Sequence, residues 1–160
     1  MQLQSGEKDS TENISVKSVA FSGPKKTLII PVDLNTADSL KLMTIKGVGP
    51  TFAGRILAFR RGLGCFIISD QLLDVHGIGP EKFKYLQPQV LVTKGRPRYL
   101  HLNAATIDDL TTNPYCSYTL ANAIIDYRKI HGKFSSVEGL KKALAIDENT
   151  FQKLRPYLSL

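Results

Sequence analysis

Two short glycine motifs are the residues of this sequence best suited to chemistry. Residues 46–50 read Lys-Gly-Val-Gly-Pro, and residues 76–80 read His-Gly-Ile-Gly-Pro, 30 positions later (76 − 46 = 30). The first glycine of such a motif can take the positive φ that ends a helix. Proline suits the first turn of the next helix, because its missing N–H would be unpaired there. We name these segments hairpin 1 and hairpin 2.

The backbone N–H groups of such a turn lie at the positive end of the following helix, with no side chain to cover them. They form a site for an anion, and phosphate is the ligand that fits it best. Lysine and arginine side chains nearby would add charge, whereas Glu81 would weaken the second site. The candidate phosphate-binding residues are Lys46, Gly47, Val48, Gly49, Thr51, Arg55, Gly77, Ile78, Gly79, Glu81, Lys82 and Lys84.

Short amphipathic runs flank both hairpins and would position them. Pro50 opens a predicted helix that ends near residues 62–64, and Pro80 opens another. Asn35 is predicted to cap the helix before hairpin 1, and Ser69 the helix before hairpin 2, because both residue types favour the N-cap. The pattern predicts α-helices joined by tight turns.

An internal duplication organises the rest of the chain. Leu34-Asn35 recurs as Leu102-Asn103 (102 − 34 = 68), and the same offset holds without a gap as far as the pair Pro88 and Pro156. An offset that stays constant over so many residues does not arise by chance. The sequence therefore predicts two small helical domains of the same fold, with Asn103 as a second N-cap, and Ser135 or Ser136 as a third.

The second half has lost both glycine motifs. Tyr-Cys-Ser-Tyr at 115–118 replaces residues 47–50, and Ala-Ile-Asp-Glu at 145–148 replaces residues 77–80. We name these segments hairpin 3 and hairpin 4. Ser117 and Asp147 fall at the predicted N-caps, where their side chains would accept from the N–H groups that a phosphate needs. Hairpin 4 is predicted to bind no anion, and hairpin 3 is a doubtful site.

Composition favours an anionic partner without proving one. The 160 residues carry a net charge of +7, and the isoelectric point is near 9.5. The two cysteines form no CxxC motif, and no His/Cys cluster has metal-ligand spacing, so no metal or cofactor is predicted. The sequence has no 18-residue apolar run and no signal-peptide pattern at its start. Paired carboxylates and a Ser/His/Asp arrangement are lacking, so we expect no enzyme and no small-molecule substrate.

At the glycine motifs the sequence resembles the helix-hairpin-helix family, in particular the DNA-binding domain of ComEA-type competence proteins. The resemblance covers residues 32–92, with Leu-Asn-Thr-Ala at 34–37, both hairpins, Arg60 and Phe66 as its main matches. It implies that two hairpins related by a pseudo-twofold grip phosphates on both strands across the minor groove, without reading sequence. DNA uptake or repair is the setting it implies, and the glycosylases of this family put a catalytic Lys where this chain has Thr51 and Glu81.

The resulting prediction is an all-α chain with two tandem double helix-hairpin-helix domains. Residues 1–31 are a disordered leader and extended arm, 32–92 are domain 1, 93–99 are a linker, and 100–160 are domain 2 with degenerate hairpins. The predicted function is non-specific binding of double-stranded DNA, and the alternative is a scaffold that contacts another protein through domain 2. The location is the cell envelope or periplasm if an N-terminal anchor precedes the chain, and the cytoplasm otherwise.

Overall fold

The computed structural model of the protein describes residues 29–160, so the predicted disorder of residues 1–28 lies outside the described residues. The described range is mainly helical, as predicted. In chain order its elements are β1 (Val32–Asp33), α1 (Ser39–Met43), α2 (Pro50–Leu63), a 3₁₀ helix (Ser69–Asp74), α3 (Pro80–Leu86), a 3₁₀ turn (Gln87–Gln89), β2 (Val90–Leu91), β3 (Leu100–His101), α4 (Ile107–Thr112), α5 (Tyr118–His131), α6 (Val137–Ala143), α7 (Glu148–Leu154), a 3₁₀ turn (Arg155–Tyr157) and β4 (Leu158–Ser159).

The four short strands are a feature that the helical pattern did not predict. β1 pairs in parallel with β2, and β3 pairs in parallel with β4, each over two residues. The helices between the paired strands act as the long crossover that a parallel pair requires. Each pair therefore joins the start of one half of the chain to its end.

Each half of the chain encloses its own apolar cluster. The first is built on side chains such as Leu34, Ile56 and Leu86, all buried, and the second on Leu102, Ile124 and Leu154. The two clusters support the predicted division of the chain into two domains, with a linker between residues 92 and 100. This division stays our proposal. The buried side chains also explain the offset of 68, because the core positions of the two halves correspond.

The predicted helix starts at Pro50 and Pro80 are confirmed, as is the cap at Ser136, whose Oγ accepts from the N–H of Gly139 at 3.0 Å. The predicted cap at Ser69 is wrong, because Ser69 is the first residue of a 3₁₀ helix. The Gln71 side chain lies at this start instead, and its Oε1 accepts from the N–H of Ile67 at 2.7 Å.

The N-caps predicted at Asn35 and Asn103 are also wrong. α1 begins at Ser39 with Asp38 as its cap, and α4 begins at Ile107 with Thr106 as its cap. Asn35 instead accepts from the N–H of Phe66 at 2.8 Å and donates to the Phe66 carbonyl at 2.9 Å. Asn103 makes the same pair of bonds with Phe134. A residue typical of caps thus joins segments 31 positions apart.

A prediction follows for this asparagine bridge. Asn35→Ala should lower the free energy of unfolding by about 2–3 kcal/mol, because the Phe66 N–H and carbonyl lose their partners. Asn35 also donates to the Thr93 carbonyl at 2.7 Å, a bond that Asn103 lacks. Chemical denaturation should therefore show a smaller loss for the matched variant Asn103→Ala, and equal losses would contradict a role for the Thr93 bond.

Among residues 29–160 no helix is long and apolar enough to cross a membrane.

Candidate nucleic-acid interface

Hairpin 1 has the backbone geometry that its glycines predict. Gly47 has φ +90°, and Gly49 is the extended N-cap of α2, with φ −92°. Val48 between them is 5% exposed and packs into the core of the first half. The outer face of the turn is a shallow hollow of about 610 Å³, lined by residues 43–52.

Hairpin 2 repeats this geometry at the start of α3. Gly77 has φ +86°, Gly79 is an extended N-cap with φ −80°, and Ile78 is 2% exposed. A Cβ added at Gly49 or Gly79 would meet no atom within 4 Å. The outward faces of both turns are therefore open in the described part of the chain.

Some backbone N–H groups of the two hairpins already donate to a carbonyl of the same turn, whereas others are available to a ligand. Val48 donates to the Ile45 carbonyl at 3.0 Å, and Ile78 donates to the Val75 carbonyl at 2.9 Å. These two predicted site residues therefore close their turns and are not free donors. Within residues 29–160 no acceptor meets the N–H groups of Gly47, Gly49 and Thr51 in hairpin 1, or of Gly77, Gly79 and Glu81 in hairpin 2.

Arg55 holds the two hairpins together and is placed differently from a free phosphate ligand. Its Nη1 donates to the His76 carbonyl at 3.0 Å, and a Cβ on Gly77 would lie 2.6 Å from that nitrogen. Tyr85, five residues after Pro80 as Arg55 is five after Pro50, packs in the same way beside Gly47, at 3.3 Å from its Cβ position. Each hairpin is thus braced by a side chain from the helix that follows the other hairpin, an arrangement that agrees with the predicted pseudo-twofold symmetry.

Gln89 and Phe52 complete this bracing, and the sequence motifs did not reveal them. Gln89 accepts from the Lys46 N–H at 2.9 Å and donates to the Lys46 and Tyr85 carbonyls. The Phe52 ring lies beside Gly77, with the Lys82 Nζ 3.2 Å from its centroid. No local pattern in the sequence indicates these roles, because the contacts join segments that are distant along the chain.

The remaining basic candidates lie beside hairpin 1. Lys46 and Lys84 are exposed and line one hollow of about 460 Å³ together with Tyr85 and the end of the arm at Ile29 and Ile30. Ile29 and Ile30 therefore lie next to hairpin 1, and within residues 29–160 the Cβ position of Gly49 stays open. Two ammonium groups around one free turn give the site a positive potential.

Comparison with known proteins decides the family. The helix-hairpin-helix motif family matches the chain twice, over residues 29–91 and 99–159. The chain belongs to the helix-hairpin-helix family. It is 27% identical over 142 residues to endonuclease/exonuclease/phosphatase family domain-containing protein 1 of Danio rerio, covering 78% of this chain and 26% of that protein. The Mus musculus protein of the same name is 28% identical over 153 residues, with 78% and 27% covered.

ComE operon protein 1 of Bacillus subtilis (strain 168) is 33% identical over 87 residues, which cover 54% of this chain and 41% of that protein. The chain thus spans about a quarter of the length of the first relatives and less than half of this one. No solved structure matches the chain.

In hairpin 3 of this helix-hairpin-helix protein, side chains of the protein itself accept from two backbone N–H groups. The N–H of Tyr115, the counterpart of Gly47, donates to the buried Asn113 Oδ1 at 2.9 Å. Ser117, the counterpart of Gly49, accepts from the Leu120 N–H at 3.2 Å through its Oγ. Cys116 takes the place of Val48 in the core, and burial raises the pKa of its thiol to about 11.

Hairpin 4 also has a side-chain cap at the start of its following helix, and it is acidic. Asp147 caps α7, and its Oδ1 accepts from the Thr150 N–H at 2.9 Å. Hydrogen bonds from Thr150 hold the pKa of Asp147 below its usual value, and the Lys141 ammonium does the same for Glu148. Both carboxylates are therefore ionised at neutral pH at the place where hairpin 2 has an open turn.

The hairpin 3 face is also the surface on which the second half docks onto the first. Tyr157, 0% exposed, belongs to the first core cluster, donates to the Cys65 carbonyl at 3.2 Å and accepts from the Gln71 Nε2 at 2.8 Å. The Tyr115 hydroxyl donates to Asp74 Oδ2 at 3.0 Å, and the Lys153 Nζ pairs with its Oδ1 at 2.6 Å. We name this set of contacts the dock.

Proposed function

We propose that this chain is a non-catalytic binder of double-stranded DNA without sequence preference. Backbone N–H groups of hairpins 1 and 2 would hold phosphates of both strands. The observation that carries the proposal is the contrast between the two halves of the chain. The N-cap glycines of hairpins 1 and 2 leave the start of the next helix without a side-chain cap, whereas Ser117 and Asp147 cap the helices after hairpins 3 and 4, and Asn113 accepts from the Tyr115 N–H.

Charge around the open turns supports the same ligand. Lys46 and Lys84 flank hairpin 1, while Lys82 and Arg55 lie between the hairpins. Contacts of backbone N–H groups and ammonium groups with phosphates position a protein on DNA but carry no base information. The proposed binding is therefore sequence-tolerant.

The two sites should differ in strength. Hairpin 1 lies at the start of α2, which has 14 residues, whereas α3 after hairpin 2 has seven. Glu81 in the first turn of α3 adds a negative charge beside the second site. A longer helix and fewer acidic neighbours favour an anion at hairpin 1, so we propose hairpin 1 as the stronger site.

The biological setting belongs to the same proposal. The resemblance to ComEA-type proteins and the match to ComE operon protein 1 favour a role in DNA uptake, with DNA repair as the other setting. Other relatives carry an endonuclease/exonuclease/phosphatase family domain in their name, and the chain matches about a quarter of their length. A DNA-binding module beside a catalytic domain is therefore a further possibility for the whole protein.

Binding should depend strongly on salt. If about four phosphates are engaged, the logarithm of the association constant should fall with the logarithm of salt concentration at a slope of roughly −3 to −4. Fluorescence titration of a short labelled duplex at several salt concentrations measures this slope, and a second duplex of unrelated sequence is the control. A flat response, or no binding at low salt, would contradict the proposal.

A scaffold function is the alternative, and the dock is the observation that favours it. The hairpin 3 face already binds protein surface rather than an anion, through Tyr115 and Tyr157. If hairpins 1 and 2 serve the same purpose, substitutions there would leave duplex binding unchanged. The titration of Gly49→Asp described in the Discussion separates the two functions.

A further inference from the structure

Three arginines converge at the end of α2 opposite to hairpin 1. Arg61 is in the last turn of α2, and Arg96 and Arg98 belong to the linker. All three are exposed, and within residues 29–160 none of their guanidinium groups takes part in a salt bridge. We name these three residues the linker patch.

The linker backbone is fixed against α2 rather than free. The Arg98 N–H donates to the Leu63 carbonyl at 2.8 Å, which satisfies one of the last carbonyls of the helix. Gly64 has φ +83°, and a Cβ there would lie 2.3 Å from the Arg98 nitrogen. At the other end of the linker, Thr93 is held by Asp33 and Asn35. A pinned backbone lowers the entropy cost of using these side chains in binding.

The side chains of the linker patch share one side of the molecule. Arg61 precedes Gly64 by three residues, so the two lie on the same face of the helix end. Arg96 and Arg98 are exposed while Pro97 between them is half-buried, the alternation of an extended chain. The carbonyl of Arg96 and the Cβ of Arg98 both lie 3.0 Å from the Cβ position of Gly64.

Two carboxylates flank the patch, and both already accept hydrogen bonds at helix starts, Asp38 as the N-cap of α1 and Asp109 from Thr106, the N-cap of α4. Asp38 lines a hollow with Arg61 and accepts from the Lys41 N–H at 2.7 Å. The pKa of Asp109 lies below its usual value because of hydrogen bonds from Thr106 and, to a smaller degree, the charge of Arg98. The patch has a net positive charge, because it has three guanidinium groups and only two neighbouring carboxylates, both of which already accept hydrogen bonds at helix starts.

We propose that the linker patch is a second contact surface for the phosphate backbone of the duplex held at hairpins 1 and 2, an inference that rests on the proposed function. α2 has 14 residues and is about 20 Å long, which matches about six base pairs along one strand. A duplex that lies along α2 meets hairpin 1 at one end and the patch at the other. The guanidinium fork suits phosphate, and charge complementarity favours the same polyanion at both ends.

The test uses the full chain and a duplex of about 20 base pairs, titrated at several salt concentrations. The variant Arg61→Gln, Arg96→Gln, Arg98→Gln should bind about tenfold more weakly at low salt, and its salt slope should be less steep than that of the wild type by about 2 to 3, falling to the roughly −3 to −4 expected of hairpins 1 and 2 alone. A matched control removes three exposed charges from the second half, Lys129→Gln, Lys133→Gln and Lys142→Gln, where Lys129 is the counterpart of Arg61. The control should keep the wild-type slope. Lysine at all three patch positions should restore binding, because it keeps the charge.

Each outcome separates this inference from the function on which it rests. If the patch variant keeps the wild-type slope while Gly49→Asp weakens binding, the linker patch is not a contact surface and the proposed function stands. Equal losses from the patch variant and its control would show diffuse attraction by the whole basic surface, which also overturns the patch. If the wild-type chain does not bind duplex at low salt, the proposed function itself fails. Circular dichroism confirms that each variant is folded.

Discussion

Gly49→Asp is expected to weaken duplex binding about fivefold or more, a loss of about 1 kcal/mol or above, without unfolding the protein. The new carboxylate would accept from the N–H groups at the start of α2 and repel phosphate. The backbone accepts this change, because Gly49 has φ −92° and ψ −177°, and its Cβ position is open. Asp147 shows the result in the same fold, as an extended N-cap bonded to Thr150.

Stability and binding should therefore change in opposite directions. Aspartate is a slightly better N-cap than glycine, so the free energy of unfolding should stay equal or rise by a few tenths of a kcal/mol. Gly79→Asp should act in the same sense on hairpin 2, with a smaller loss because Glu81 already weakens that site. Thermal melts and duplex titrations of the same samples measure both quantities.

The reciprocal change in domain 2 is the matched control. Asp147→Gly with Glu148→Pro restores the glycine-proline pattern to hairpin 4 and should leave affinity equal or slightly higher. If changes in both domains weaken binding equally, domain 1 does not carry the site. If Gly49→Asp binds like the wild type, hairpin 1 is a structural turn, and the scaffold function gains support.

The hairpins could be predicted because their chemistry is local. Glycine permits a positive φ, and proline fixes its own φ at a value that suits the first turn of a helix, so the positive φ of Gly47 and Gly77 and the helix starts at Pro50 and Pro80 follow from the motif itself. The N-caps at Ser117 and Asp147 follow in the same way. The residue at the centre of hairpins 1, 2 and 3 is buried in each case, as Val48, Ile78 and Cys116.

Contacts between distant segments could not be predicted from local patterns. Asn35 has the residue type and position of an N-cap, but the folded chain brings Phe66 close enough to take both ends of its amide. The sequence showed that Tyr115 replaces a glycine. It did not show that its hydroxyl reaches Asp74, because that depends on how two domains pack. The bracing roles of Arg55 and Gln89 were hidden for the same reason.

The second large effect is expected at the dock. Tyr157→Ala should lower the free energy of unfolding by about 3–5 kcal/mol, the usual cost of deleting a buried aromatic side chain. Tyr157 is 0% exposed and lies in the core cluster of the first half, although its backbone belongs to the second. Its loss removes a partner from Gln71 and from the Cys65 carbonyl as well.

A second variant at Tyr157 separates the contribution of the ring to stability from that of its hydroxyl. Tyr157→Phe keeps the packing and leaves the Cys65 carbonyl without its partner, so it should cost about 1–2 kcal/mol. The exposed Tyr118, at 67%, is the control, and Tyr118→Phe should cost less than about 0.5 kcal/mol. Gly62→Ala tests the dock from the other side, because a Cβ there would lie 2.7 Å from the Thr112 carbonyl.

If the dock joins the two domains into one folding unit, the wild-type chain should unfold in a single transition by calorimetry, whereas Tyr157→Ala should broaden or split it. The coupling arises from the polar contacts of the dock, in which Gln71 and Asp74 of the first half bond to Tyr115, Lys153 and Tyr157 of the second. Separating the two halves would leave these partly buried polar groups unpaired. Duplex affinity of the folded Tyr157→Phe variant should equal that of the wild type, since the hydroxyl that it removes bonds to Gln71 and the Cys65 carbonyl, outside hairpins 1 and 2. A loss below about 1 kcal/mol for Tyr157→Ala would contradict the dock.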